Sequence, residues 1–144
     1  MQEQNFKNHT RMVTGFHYVL GGIILVTLIL SFINLYQAFQ SRQGTLTSII
    51  IILLTISVLL AAFYARSFSL KAQNRAIRAE ENFRHYVLSG KPLDSSLKME
   101  QIIALRFASD AELLSITQKA VSENLRNNDI KQLIQHWKAD NQRV

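Results

Sequence analysis

Two apolar stretches, Phe16–Tyr36 and Leu46–Ala65, dominate the first half of the chain, and neither holds a residue that must carry a charge. Each is about twenty residues long, enough at a helical rise of ~1.5 Å to cross a hydrocarbon layer of roughly 30 Å. Both are therefore expected to be transmembrane helices, spanning 16–36 and 46–65. The polar, glycine-containing link, 37–45, is short enough to force an antiparallel hairpin. Tyr18, Tyr36 and Tyr64 fall near the expected interfaces, where an amphipathic ring is favourable.

The polar and small residues inside these stretches are spaced for helix packing. Thr27, Ser31, Asn34 and Ala38 recur at helical intervals and share one face of the first helix. Ser57, Ala61 and Ala65 form a small-residue stripe on the second, of the kind that lets backbones approach closely. Two uses fit these faces: packing within the hairpin, with Ser and Thr bonding back to their own helix, or docking with another membrane subunit. Asn34 is the strongest polar candidate.

Beyond Ala65 the sequence becomes charged, yet no Gly or Pro interrupts it before Gly90 and Pro92. Good helix formers dominate. The stripe continues through Phe68, Ala72, Ala76, Ala79, Phe83 and Tyr86, so one helix is expected from about Leu46 to Leu88. Such a helix is roughly 65 Å long, with segment 66–89 as a juxtamembrane extension. Glu80 with Arg84, and Glu81 with His85, stand four residues apart and add modest surface support.

Residues 90–144 read as a small three-helix module. A turn from Ser89 to Asp94 precedes a helix over about Leu97–Phe107, with Met99, Ile102, Ile103 and Phe107 apolar. A second helix begins at a capping box, Ser109-Asp110-Ala111-Glu112, and carries Leu113, Leu114, Ala120, Val121 and Leu125. Asn127-Asn128-Asp129 then recaps the chain for a last helix with Ile130, Leu133, Ile134 and Trp137 on one face. A module this small buries little core by itself, so it is expected to dock on the alanine stripe of the long helix.

Charge sets the orientation. The formal net charge is +6, and the segment 66–90 alone contributes five bases against two acids. Lys7 and Arg11 precede the first span, whereas the loop between spans holds only Arg42. Both termini are therefore expected in the cytoplasm, with 1–15 as a cytoplasmic N-terminal segment and about nine residues outside. The first apolar run is too long for the core of a cleaved signal peptide, and no Ala-x-Ala site follows it. Arg66, Lys71, Arg75 and Arg78 are candidate contacts for lipid head groups, worth about 1 kcal/mol each when close to an anionic surface; the same bases also serve simply as the orientation signal. The absence of cysteine removes disulfides and thiolate metal sites.

Common chemistries find no support. Haem between membrane helices wants opposed histidines, and only His17 lies near a span. A carboxylate-bridged di-iron site needs Glu-x-x-His repeats; Glu81 to His85 is one residue too long and occurs once. Phosphate loops, nucleophile elbows and zincin signatures do not occur, and no Asp, Glu, Lys or Arg lies inside either span to couple ions. The last two helices have the spacing of a helix-turn-helix, but residues 91–144 sum to only +1, far from the basic surface that a nucleic-acid reader needs.

Several segments are similar to those of a known family: Gln4-Asn5-Phe6-Lys7-Asn8-His9, Tyr64-Ala65-Arg66-Ser67-Phe68, Arg78-Ala79-Glu80-Glu81-Asn82-Phe83-Arg84-His85, Leu105-Arg106-Phe107-Ala108-Ser109-Asp110 and Trp137-Lys138-Ala139-Asp140. Together they resemble a family of short, uncharacterised bacterial membrane proteins with two predicted spans. The resemblance covers nearly the whole chain and implies a bacterial plasma membrane and the same hairpin; it brings no catalytic residues. The expectation is an all-α, membrane-anchored interaction protein or accessory subunit, without cofactor or metal. Its expected partners are membrane lipids and either further copies of itself or other membrane subunits, with no nucleic acid. The rival is a small membrane enzyme or lipid-head-group-binding protein that uses Arg66, Arg78, Glu80, Glu81, Arg84 and His85.

Overall fold

The structure is a computed structural model that describes residues 13–139. Lys7 and Arg11, the N-terminal bases of the orientation argument, and the last residues of the tail lie outside the described part. A π-helical stretch, Gly15–Leu20, leads directly into α1 (Gly21–Ser41), which is followed by α2 (Thr45–Ser89), α3 (Met99–Leu105), α4 (Asp110–Ser122) and α5 (Asn127–Leu133). The fold is all-helical, with two long apolar helices followed by three short ones. The described residues divide into two compact units, one up to Ser69 and one from Leu70 onward.

In the first unit the helices continue past the apolar runs. The turn is only Arg42-Gln43-Gly44, because 37–41 remains helical. Arg42 takes a left-handed conformation (φ 53°) and the Gln43 N–H reaches back to the Ala38 carbonyl, a Schellman-type close. Gly44 also has positive φ, so the reversal is completed within three residues. Ile24, Ser31 and Ala38 are the buried residues of α1, and Ser48 and Thr55 are buried on α2. Each set recurs every seven residues, the interval at which two right-handed helices wound in a left-handed supercoil keep meeting. The Ser48 hydroxyl donates to Asn34 Oδ1 and joins the two helices. Around this seam the large apolar side chains, such as Ile29, Phe32, Leu54 and Leu60, are exposed.

In the second unit the core gathers Ile77 from α2 with Leu97, Ile102, Leu105, Phe107, Leu113, Ile116, Ala120, Ile130 and Ile134. Burial of each large member stabilises by about 2 kcal/mol. Gly90, at φ +71°, ends α2 by directing its N–H to the Tyr86 carbonyl (2.8 Å). The Asn82 side chain then accepts the Leu93 N–H (2.8 Å), which turns the chain back along α2. Gln101 holds two positions: its Oε1 accepts the Lys98 N–H (2.7 Å) at the start of α3, and its Nε2 donates to the Leu125 carbonyl (2.8 Å). Asn124, left-handed at φ 47°, closes α4, and the Leu125 N–H returns to the Ala120 carbonyl (3.1 Å).

Three local expectations change in this unit. The last helix stops at Leu133, and Ile134 is extended. Trp137 therefore does not follow Ile130 around a helix; it pairs with Ala108 as an isolated antiparallel bridge, and the Lys138 N–H donates to the Phe107 carbonyl (2.8 Å). Extended backbone advances ~3.3 Å per residue against ~1.5 Å in a helix, and this brings the indole to Phe107 at 5.1 Å between ring centroids. The capping box at Ser109 also does not close. Helix α4 begins there, but the Ser109 hydroxyl donates to the Glu112 carboxylate (3.2 Å), which itself accepts the His136 N–H (3.1 Å). Finally, the module does not dock on the alanines: Ala72, Ala76 and Ala79 are exposed, while Ile77 and Glu81 are buried.

Candidate functional site

The docking face of α2 is built from residues three and four apart: Ile77, Glu81 and Arg84. Arg84 is its hub. Its Nη1 meets Glu81 Oε2 at 3.1 Å, its Nε donates to Asp110 Oδ1 at 2.6 Å, and its Nη2 donates to the Ala108 carbonyl at 2.7 Å. One planar guanidinium thus ties α2 to the corner between α3 and α4, a task for which its fixed fork of donors suits it. The Glu81 side chain is 6% exposed and that of Arg84 12%, so this is a shielded pair; Asp110, at 67%, is a rim partner. His85 Nδ1 lies 2.8 Å from the Lys91 carbonyl and belongs to the turn after α2. Arg78, Glu81, Arg84 and His85 are therefore each engaged in a structural contact, and they do not converge on one reacting position. Glu80 is exposed, and Arg66, half-buried, belongs to the other unit.

Of the four candidate head-group bases, two come together. Arg75 and Arg78 line a groove of about 380 Å³ with Ala79, Asn82, Leu93, Asp94, Ser95, Leu97 and Ile102. Arg78 Nη2 donates to the Leu97 carbonyl at 3.2 Å. The carboxylate of Asp94 accepts the Ser96 N–H (2.8 Å); bonds from the Ser96 side chain and backbone hold it below the usual carboxylate range. Lys71 is exposed and does not line the groove.

The helix faces separate in the same way. In the first unit Ser31 is buried, Thr27 is exposed with its hydroxyl bonded to the Ile23 carbonyl (2.8 Å), and Asn34 receives Ser48. On α2, Ser57, Ala61 and Ala65 are exposed, and the contact within the hairpin is carried by Ser48 and Thr55 instead. Their seven-residue spacing, equal to that of Ser31 and Ala38, was the signal that could have found them. In the second unit Ala72, Ala76 and Ala79 lie exposed beside Phe83 (68% exposed) and Val87 (65%). A further contact crosses the module: Glu112 accepts both the backbone N–H of His136 and a bond at 3.0 Å with its ring Nδ1. Burial by itself would raise the Glu112 carboxyl, but the bonds from His136 and Ser109 outweigh it and hold the group below its ordinary range. Among the described residues no three His, Asp or Glu side chains are placed to hold a metal ion.

These features define an all-helical protein in which two long apolar helices, each long and apolar enough to cross a membrane, accompany a small helical unit. The chain belongs to a family of unknown function, DUF6526, and the match spans residues 1–144. Comparison with curated proteins and with solved structures gives no match.

Proposed function

We propose that the chain is a non-enzymatic, membrane-anchored interaction protein or accessory subunit of a bacterial plasma-membrane complex, with both termini in the cytoplasm. The observation that carries this reading is the division of labour on α2. The small unit occupies the Ile77, Glu81 and Arg84 face, and Ala72, Ala76, Ala79 and Phe83 are left exposed on another face of the same helix. Small residues beside exposed aromatics suit close approach by another helix. The exposure of large apolar side chains along α1 and the first half of α2 supports lipid as their surroundings, since an apolar helix of a water-soluble core is buried. The excess of bases after Ala65 over the loop supports a cytoplasmic location for the second half.

Purification in mild detergent after in-cell cross-linking tests the reading. A cross-linked species through the α2 face, lost in Ala76→Glu, is the expected result. A strictly monomeric particle with no co-purifying protein overturns it. Reporter fusions at each end should both read cytoplasmic, and an external carboxyl end overturns the orientation.

A further inference from the structure

We propose that the groove between α2 and the turn following Gly90 binds a phosphodiester group through Arg75, Arg78, Asn82 and Ser95. The groove is about 380 Å³, and its polar wall is rich in uncommitted donors. Arg75 has no hydrogen-bond or ionic partner among the described residues, although it lies one helical turn from Arg78. Arg78 uses one N–H on the Leu97 carbonyl, which leaves the rest of its five-donor fork. Asn82 has spent its carbonyl oxygen on the Leu93 N–H, so its amide N–H groups remain to donate. The Ser95 hydroxyl, like Arg75, has no partner among the described residues.

The charge balance selects the ligand class. Among the described residues Asp94 is the one carboxylate on the wall and is held by Ser96, so their lining carries two positive charges and one negative. A phosphodiester brings a single negative charge and several acceptor oxygens, a match for two guanidinium forks, an amide and a hydroxyl. A carboxylate has fewer acceptor sites than this wall has donors. Leu97 and Ile102 supply an apolar floor against which the carbon of an ester lies. The same linkage occurs in membrane glycerolipids and in soluble glycerophosphodiesters, and the chemistry of the groove is common to both. This inference stands apart from the partner reading, because the groups that would hold the phosphodiester, Arg75, Arg78, Asn82 and Ser95, are not those of the alanine face, which shares only Ala79 with the groove.

The full chain in maltoside micelles, which contain no phosphate, provides the test. Short-chain phosphatidylglycerol, soluble glycerophosphoglycerol and phosphate-free diacylglycerol are titrated in turn, with native mass spectrometry for stoichiometry and amide hydrogen exchange over residues 93–97 for occupancy. The expected result is one phosphatidylglycerol per chain and slowed exchange over that turn. Arg75→Gln should weaken binding by about tenfold, the effect of one charge-assisted hydrogen bond. Lys119→Gln, which removes an equal charge from an exposed position on α4, should leave binding unchanged. Competition by glycerophosphoglycerol assigns the soluble source as well, and binding of the lipid alone assigns the membrane; either supports the site. Equal binding of diacylglycerol, equal weakening by Lys119→Gln, or no binding of either phosphodiester overturns it. Arg75 is exposed and outside the core, and unchanged exchange in α3 and α4 verifies that the variant is folded.

Discussion

Replacement of Arg84 by methionine should unseat α3 and α4 from α2, and the size of the effect follows from its three contacts. Methionine keeps much of the aliphatic stem, so the loss is chiefly polar. Glu81, 6% exposed, is left as a shielded carboxylate without its cation; breaking a buried pair from one side costs about 3–5 kcal/mol, and the slight exposure here favours the lower end, ~3 kcal/mol. The buried Ala108 carbonyl loses its donor as well, adding ~1 kcal/mol. Asp110 is mostly exposed, so its lost ion pair adds at most a few tenths of a kcal/mol. Trp137 is the only tryptophan and packs on Phe107, so its fluorescence during urea unfolding of the full chain in micelles reports on this unit alone. Hydrogen exchange of α3 and α4 should accelerate by about three orders of magnitude. The double variant Glu81→Leu with Arg84→Met removes the orphaned charge along with its partner, and should recover all but ~1–2 kcal/mol. A single variant within ~0.5 kcal/mol of the parent, or a double variant no more stable than the single, would refute the account of Glu81 as a dependent charge.

Other substitutions probe separate seams. Glu112 has a folded-state pKa below its ordinary value of 4.5, so the stability it contributes is fully present above that value and is lost as pH falls through the lower, folded value. Trp137 emission and exchange at 134–138 should therefore be flat from neutral pH to about that point and change below it, and Glu112→Gln should abolish this step; an unchanged acid step in that variant removes Glu112 as its cause. Ala38→Leu overfills the buried hairpin seam and should cost ~1–3 kcal/mol. Cysteine pairs placed across α1 and α2 in this cysteine-free chain should cross-link more slowly in that variant, whereas the exposed Ser57→Leu should leave the rate unchanged. Gly90→Ala meets no neighbour but must hold a left-handed backbone, so a loss of about 1 kcal/mol in the Trp137 unfolding assay is expected; no loss would show that the cap is dispensable.

Helix identity was legible along most of the chain because it rests on local properties. Apolar runs of span length, an uninterrupted stretch of helix formers from Leu46 to Leu88, and the break at Gly90 are readable within a few residues, whereas the break expected at Asn127-Asn128-Asp129 falls earlier, at 123–126, and Asn127 already opens α5. The second half of α2 was also expected as a continuation of the first, since nothing between Arg66 and Ser89 ends a helix. Only the tertiary structure decided which face each helix uses. On the first half of α2, Ser57, Ala61 and Ala65 offered a plausible seam, but Ser48 and Thr55 are the buried ones. On its second half the alanines looked like the docking stripe, yet Ile77, Glu81 and Arg84 take that place. A helix with several acceptable stripes commits to the one whose polar groups find partners elsewhere. For Arg84 those partners are the carbonyl of Ala108 and the carboxylate of Asp110, more than twenty residues away in sequence. Trp137 shows the same dependence: its place on Phe107 required the last helix to end early, because an extended backbone could reach the carbonyl of Phe107 and a continued helix could not.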